Sequence, residues 1–228
     1  DYYAPGLNKG ELMKCNHYRA LLVLLLILFI QSCASAPRNP ATENYRIDTL
    51  GKGLWRIQSI SRVAYETSTM YLIEGSQEAL LIDAGSGKAG LREIVQQLLN
   101  DKPFKVALTH GHADHSGGIS YFPEAYVHRL DANIAGGIPI DTDIICRRES
   151  MDDGDVFDLG DKKIEVISVP GHSAGSVAFL NRADKYIMTG DTIGPMVWAH
   201  VSWQPLSVYL NSVKKLESLR NDIDNIYV

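Results

Sequence analysis

Residues 109–118 read THGHADHSGG, which sets His110, His112, Asp114 and His115 within six residues. A single histidine usually lies on a surface or satisfies one hydrogen bond. Four metal-capable groups at this density point instead to a metal centre. His110 and His112, two apart in a loop, can turn both imidazoles towards one ion of the borderline class, such as zinc. Asp114 and His115 follow too closely to reach that ion in the same sense, so they are expected to serve a second ion beside it. Gly111, Gly117 and Gly118 are expected to supply the backbone freedom that tight chelation needs.

Outward from this stretch, KVALT (105–109) is a short apolar run that delivers the cluster from a buried strand. Two later segments repeat the arrangement. VISVPGH ends on His172 behind a Pro-Gly turn, and YIMTGD ends on Asp191 behind Gly190. Three metal-capable loops that each follow a β-run can converge on one edge of a rigid scaffold. With two carboxylate oxygens, Asp191 suits a position between two cations. Of the other histidines, His128 reads as an ordinary strand-end residue. His200 stands among Trp198 and Trp203, which read more readily as packing than as a ligand cleft.

The rest of the chain supports such a scaffold. YRIDTL and LWRIQSI flank the turn GKG, and MYLIEG and ALLIDAG flank SQE, as strand pairs do. GLREIVQQLLN carries apolar residues at 91, 94, 95, 98 and 99, which is helical spacing. DDGDVFDLGDKKIEVISV reads as a hairpin, because its acidic residues miss the positions of a calcium-binding EF-hand loop. SVAFL and KYIMTG are further strands, LSVYLNSVKKLESL a second amphipathic helix, and NIYV a last β-run. Strands in both halves with helices between them imply packed sheets covered by helices. Residues 134–152 and 193–205 are expected to be loops that shape access for a substrate.

THGHADHSGG is similar to the His-X-His-X-Asp-His signature of the metallo-β-lactamase superfamily. LLIDAG, PGHSAGS and GD follow in that superfamily's order, and the resemblance spans residues 45–228. It implies an α/β fold, an αββα sandwich with a metal site at one sheet edge. It also implies that His110, His112 and His172 hold one ion and that Asp114 and His115 hold a second, with Asp191 shared. Two zinc ions would be bound, with iron or manganese as substitutes. Asp83 in LLIDAG matches an aspartate that supports the ligand loop from behind, or is simply a turn residue after a strand. The superfamily's final motif, a glycine-flanked histidine, has no counterpart before Val228, so the resemblance implies that the C-terminal part of the domain is missing from this sequence.

The activity implied is hydrolysis of an ester, thioester, lactone or lactam by a metal-activated water, with Asp114 orienting that water and relaying a proton. The ligand set looks most like that of hydroxyacylglutathione hydrolase, since cysteine-type lactamases would carry Cys at position 191. GDTIGPM, however, departs from the aromatic residue usual soon after GDT in that thioesterase. A periplasmic β-lactamase, a persulfide dioxygenase with one iron, and a non-catalytic metal-binding lipoprotein are the alternatives.

From Met13 the sequence reads MKCNHYRALLVLLLILFIQSCASAP: a basic start, an apolar run from Ala20 to Ile30, then small residues. That run is too short to span a bilayer and suits the core of a signal peptide. IQSC (30–33) resembles a bacterial lipobox, with Cys33 lipidated; the alternative is ordinary secretory cleavage after ASA. Residues 1–12 then form an upstream extension, 13–32 a lipoprotein-type signal peptide that includes Cys15 and His17, 33–44 a tether, and 45–228 the domain. These divisions imply an extracytoplasmic protein, in the periplasm or at the cell surface, anchored to membrane. Removing residues 1–32 takes away three basic and two acidic residues, so the formal charge of −5 becomes about −6. With no basic run, nucleic acid is not an expected partner; a small-molecule substrate is. With Cys15 removed and Cys33 carrying lipid, Cys146 alone would remain free, which leaves no intramolecular disulfide to form.

Overall fold

The computed structural model describes residues 43–60, 67–133, 147–194 and 204–228. Residues 1–42, with the signal segment and all of the tether but Glu43 and Asn44, lie outside the described residues, as do Cys15, Cys33, Cys146, His17, Trp198, His200 and Trp203. Among the described residues, no helix is long and apolar enough to cross a membrane.

Seven strands form the first sheet in chain order: β1 (Tyr45–Gly51), β2 (Leu54–Ser59), β3 (Thr69–Glu74), β4 (Ala79–Ile82), β5 (Phe104–Ala107), β6 (Glu124–His128) and β7 (Arg147–Met151). Neighbours are antiparallel from β1 to β4 and parallel from β4 to β7. The second sheet holds β8 (Val156–Asp158), β9 (Lys163–Ser168), β10 (Val177–Asn181), β11 (Tyr186–Met188) and β12 (Asn225–Tyr227). It is antiparallel except for the parallel β11–β12 pair. Helix α1 (Leu91–Leu99) links β4 to β5, a single-turn helix α2 (Ala113–Ser116) follows β5, and α3 (Leu206–Ser218) precedes β12.

Side-chain alternation along the strands sorts these elements into four layers. Leu80 and Ile82 of β4, with Tyr71 and Ile73 of β3, meet Ile164, Val166, Val177, Phe179 and Met188 of the second sheet in a common core. The intervening residues Met70, Leu72, Ala79 and Leu81 turn the other way, onto Leu91, Ile94, Val95 and Leu99 of α1. In the second sheet Ile167, Ala178, Leu180 and Ile187 face outward and pack with Leu216 of α3. Central strands buried on both faces explain why ALLI and VAFL read as unbroken apolar runs. The αββα sandwich expected from the sequence is therefore present. Helix α1 has no side-chain N-cap, since Gly90 precedes it. A cap is worth about 1 kcal/mol, against roughly 1.5–3 kcal/mol for each of its four buried side chains, so packing dominates.

Two departures from the sequence reading bear on the site. Residues 147–151, read as part of a loop, form the edge strand β7 beside β6. RRESM offers no apolar alternation that would reveal a strand. The cluster itself, read as loop, folds at Ala113–Ser116 into α2, with the His115 and Ser116 N–H groups donating to the His112 carbonyl at 3.0 and 2.9 Å.

Candidate metal centre

All the candidate ligands lie beyond the C-terminal ends of strands. His110 and His112 follow β5, His172 follows β9, and Asp191 follows β11. The Val177 N–H donates to the Thr109 carbonyl at 2.8 Å, which stitches the two sheets together at this edge. The sequence-derived histidines come together: His112 Nδ1 stands 2.8 Å, and His110 Nε2 3.0 Å, from His172 Nε2. Tetrahedral zinc with nitrogens at 2.0–2.1 Å would space them about 3.3 Å apart, a difference that small ring rotations close.

A second group is formed by His110, His115 and Asp191. His115 Nε2 lies 3.3 Å from Asp191 Oδ1 and 3.5 Å from Asp114 Oδ2, while Asp191 Oδ2 lies 3.4 Å from His172 Nε2. Asp191 thus presents one oxygen to each side. Asp114, on α2, leaves about half of its side chain exposed to solvent.

Asp83 resolves the choice between turn and support. Its φ of 64° turns it sharply out of β4, and its buried carboxylate accepts from the Thr109 N–H at 2.7 Å, the Thr109 hydroxyl at 2.8 Å and His115 Nδ1 at 2.7 Å. This chain of bonds fixes tautomers. Thr109 spends its proton on Asp83, so its oxygen accepts from His110 Nδ1 at 3.1 Å, leaving His110 Nε2 as the lone-pair nitrogen that faces His172. The Asp83 bond likewise aims His115 Nε2 at Asp114 and Asp191.

Gly117 and Gly118 act by size rather than by flexibility. Gly117 is helical (φ −58°) and Gly118 has φ −90°, both open to any residue. A Cβ on Gly118 would instead fall 2.2 Å from the Ala84 carbonyl oxygen, and one on Gly117 2.6 Å from that of Ala113. The loop after Asp83 and the turn after α2 can meet only without side chains there. Gly190 differs: its φ of 49° and its contact with Thr109 require glycine beside Asp191.

The electrostatics describe a centre short of positive charge. Burial alone would push His115 down, but the Asp83, Asp114 and Asp191 carboxylates around it outweigh that and raise it well above its ordinary value. The hydrogen bond from His115 holds Asp114 down to about 2. Burial would raise Asp191, yet His115 and His172 keep it below the usual carboxylate range. A divalent cation would supply the charge that a proton on His115 otherwise provides, and the donor set, imidazoles with carboxylates, suits zinc and its neighbours. The residues present therefore fit a metal.

His128, at the end of β6, belongs to neither group; its Nδ1 accepts from the Leu130 N–H at 3.3 Å and its Nε2 lies 3.4 Å from Asp152. Sequence reasoning missed Asp131, a buried carboxylate that accepts from the Gly111 N–H at 2.9 Å and the Ser173 hydroxyl at 2.5 Å. No spacing or periodicity in HRLDAN marks it.

Comparison with known proteins agrees with this geometry. A family model, the metallo-beta-lactamase superfamily, matches residues 65–223. The chain belongs to that superfamily. Its similarity to the acyl-coenzyme A thioesterase MBLAC2 of Homo sapiens is 28% identity, covering 81% of this chain and 78% of the relative. The hydroxyacylglutathione hydrolase of Photobacterium profundum is 29% identical over 74% of this chain and 63% of its own length. The atrochrysone carboxyl ACP thioesterase of Aspergillus fumigatus is 28% identical over 65% and 46%. Among solved structures, a metallo-beta-lactamase from Pontibacter korlensis superposes with a TM-score of 0.65 at 17% identity, covering 80% of this chain and 89% of that one, which supports the fold alone. This superfamily member is an enzyme, a hydrolase with histidines positioned for a metal site.

Proposed function

We propose that this hydrolase cleaves thioesters, with His110, His112 and His172 holding one metal ion, Asp114 and His115 a second, and Asp191 shared between them. The observation that carries the reading is the two-sided placement of Asp191, one oxygen towards His172 and the other towards His115. Its substrate class is supported by relatives named for acyl-coenzyme A, acyl-carrier-protein and hydroxyacylglutathione chemistry, all acyl groups on sulfur. Zinc ions bound here would supply Lewis acidity and acidify a water to a pKa of about 7.

The chain's own residues do the rest. Thr109 and Asp83 orient the rings of His110 and His115, so that the Nε2 atoms of both turn inward. Asp191 keeps the two halves at fixed spacing. Asp114, anionic and open to solvent, accepts a hydrogen bond from the attacking water, orients it towards the acyl carbon and relays a proton to the departing thiolate. The strand ends keep these groups on a rigid frame, so little reorganisation accompanies reaction.

Metal content and a hydrolysis panel test the reading together. Purified protein should carry zinc and release thiol from acyl-coenzyme A or hydroxyacylglutathione faster than it opens a β-lactam. One iron with oxygen uptake on a persulfide, preferential β-lactam turnover, or zinc without hydrolysis of anything in the panel would each replace it. For location, the proposed anchor is a lipidated Cys33: Cys33→Ala should move the protein from the membrane pellet to the soluble fraction, and unchanged pelleting would remove the anchor.

A further inference from the structure

Both loops that bring the three histidines together end on the same buried carboxylate, Asp131, which lies just beyond β6 on a third segment. Gly111, whose N–H donates to Asp131 Oδ2 at 2.9 Å, sits between His110 and His112. Ser173, whose hydroxyl donates to the same oxygen at 2.5 Å, follows His172 directly. Asp131 Oδ1 accepts the Gly175 N–H at 2.8 Å, one turn further along the His172 loop. The carboxylate is 1% exposed, and its described partners are all uncharged donors.

The HSAGS stretch is shaped around this group. A Cβ on Gly175 would fall 2.8 Å from the Asp131 carboxyl carbon, so only glycine lets the backbone approach. Ser176 Oγ accepts the Ser173 N–H at 3.0 Å and lies 2.8 Å from Ser173 Oγ, fixing that hydroxyl in the rotamer that reaches Asp131. Burying a carboxylate without a cation is costly unless its lone pairs are filled. A position that bears that cost at the meeting point of two ligand loops serves more than general packing would.

We propose that Asp131 is the positioning residue of the three-histidine half-site: it locks the His110–His112 loop and the His172 loop in register, so that three ring nitrogens face one point before any ion arrives. This rests on the reading of those histidines as ligands. Such outer partners typically change metal affinity by about 10–100-fold. Asp131→Asn keeps the shape but turns one acceptor into a donor facing another donor, so its effect should fall between those of wild type and Asp131→Ala.

The experiment takes the whole chain through two readouts. The first is the affinity of the first cobalt(II) equivalent by chelator competition, with its visible spectrum; the second is hydrogen exchange of the Gly111 and Gly175 amides in metal-free protein. For Asp131→Ala the expected result is about 10–100-fold weaker first-equivalent binding with an altered spectrum. Both amides should exchange at least about tenfold faster while the β10 amides stay protected. Wild-type affinity in a folded Asp131→Ala, even with a lowered melting temperature, overturns the proposal, because the role would then be structural only. If Asp131→Ala does not fold, Ser173→Ala decides, with a loss of several-fold expected and none overturning. Should the wild-type chain take up no cobalt at these histidines, the ligand reading fails, and the proposal then stands or falls on the amide exchange.

Discussion

His110, His112 and His172 meet with ring nitrogens 2.8–3.0 Å apart, the first and last of them buried. His115 Nε2 stands 3.3 Å from Asp191 and 3.5 Å from Asp114, which is half open to solvent on a single-turn helix. The first group draws on two loops that close on Asp131 and on Thr109 behind His110. In the second group His115 is held from behind by buried Asp83, whereas Asp114 sits on a helix of only four residues. The difference teaches that one half is held by buried partners, whereas the other keeps a solvent-facing carboxylate, as the proton relay proposed for Asp114 requires. For the two-ion reading proposed above, two unequal affinities are expected. The ion of the three-histidine half should resist chelators that remove the other.

The largest effect should come from breaking the organised half. His172→Ala removes the nitrogen on which both other rings converge and the neighbour of Asp191 Oδ2, so it should abolish turnover and weaken the tight metal equivalent by more than about 100-fold. Metal content near wild type in that variant would mean that the half-site is assigned wrongly. Asp114→Asn should invert the pattern: the tight equivalent is retained while turnover falls by about 10²–10⁴-fold. Steady-state thiol release beside metal analysis reads both, and full activity would take proton relay away from Asp114. Asp83→Ala should separate the halves more gently. It frees His115 to rotate and leaves the buried Thr109 N–H without its acceptor, costing about 1–3 kcal/mol of stability. The weak equivalent should suffer about 10–100-fold, the tight one less, because Thr109 still touches His110. Equal losses at both would contradict the division.

Much of this centre was legible in the sequence because metal chemistry is local. His110, His112, Asp114 and His115 announce themselves by density, and His172 and Asp191 by their place after apolar runs. The layers were legible too, since strands in both halves with amphipathic helices between them imply packed sheets covered by helices. Asp131 was not, because its role arises from partners 20, 42 and 44 residues away and from no pattern of its own. The strand β7 was hidden for a related reason: among the described residues RRESM pairs with β6 alone, and a polar edge carries no periodic signal. Gly117 and Gly118 misled in an instructive way, since they suggested backbone freedom where the structure needs absence of a side chain.

The smallest effect sets the buried Asp83–His115 pair against an exposed pair of the same kind. Asp153 and Lys215 lie 2.6 Å apart between the turn before β8 and helix α3, with 53% and 39% of their side chains exposed. Burial would raise the Asp153 carboxyl, but the Lys215 ammonium and the Ser168 N–H at 2.7 Å outweigh it and hold it below the ordinary 3.8. A depressed folded-state value means that the stabilisation is present above 3.8 and is lost as pH falls through the folded value. Screening keeps such a pair to about 1 kcal/mol or less. Lys215→Met should therefore lower the urea midpoint slightly at neutral pH and low salt, and the gap from wild type should close on acidification and on adding salt. Metal affinity should not change. A Lys215→Met chain that lost the tight metal equivalent would show α3 coupled to the centre, and the contrast between organised and open halves would then have to include the outer layer.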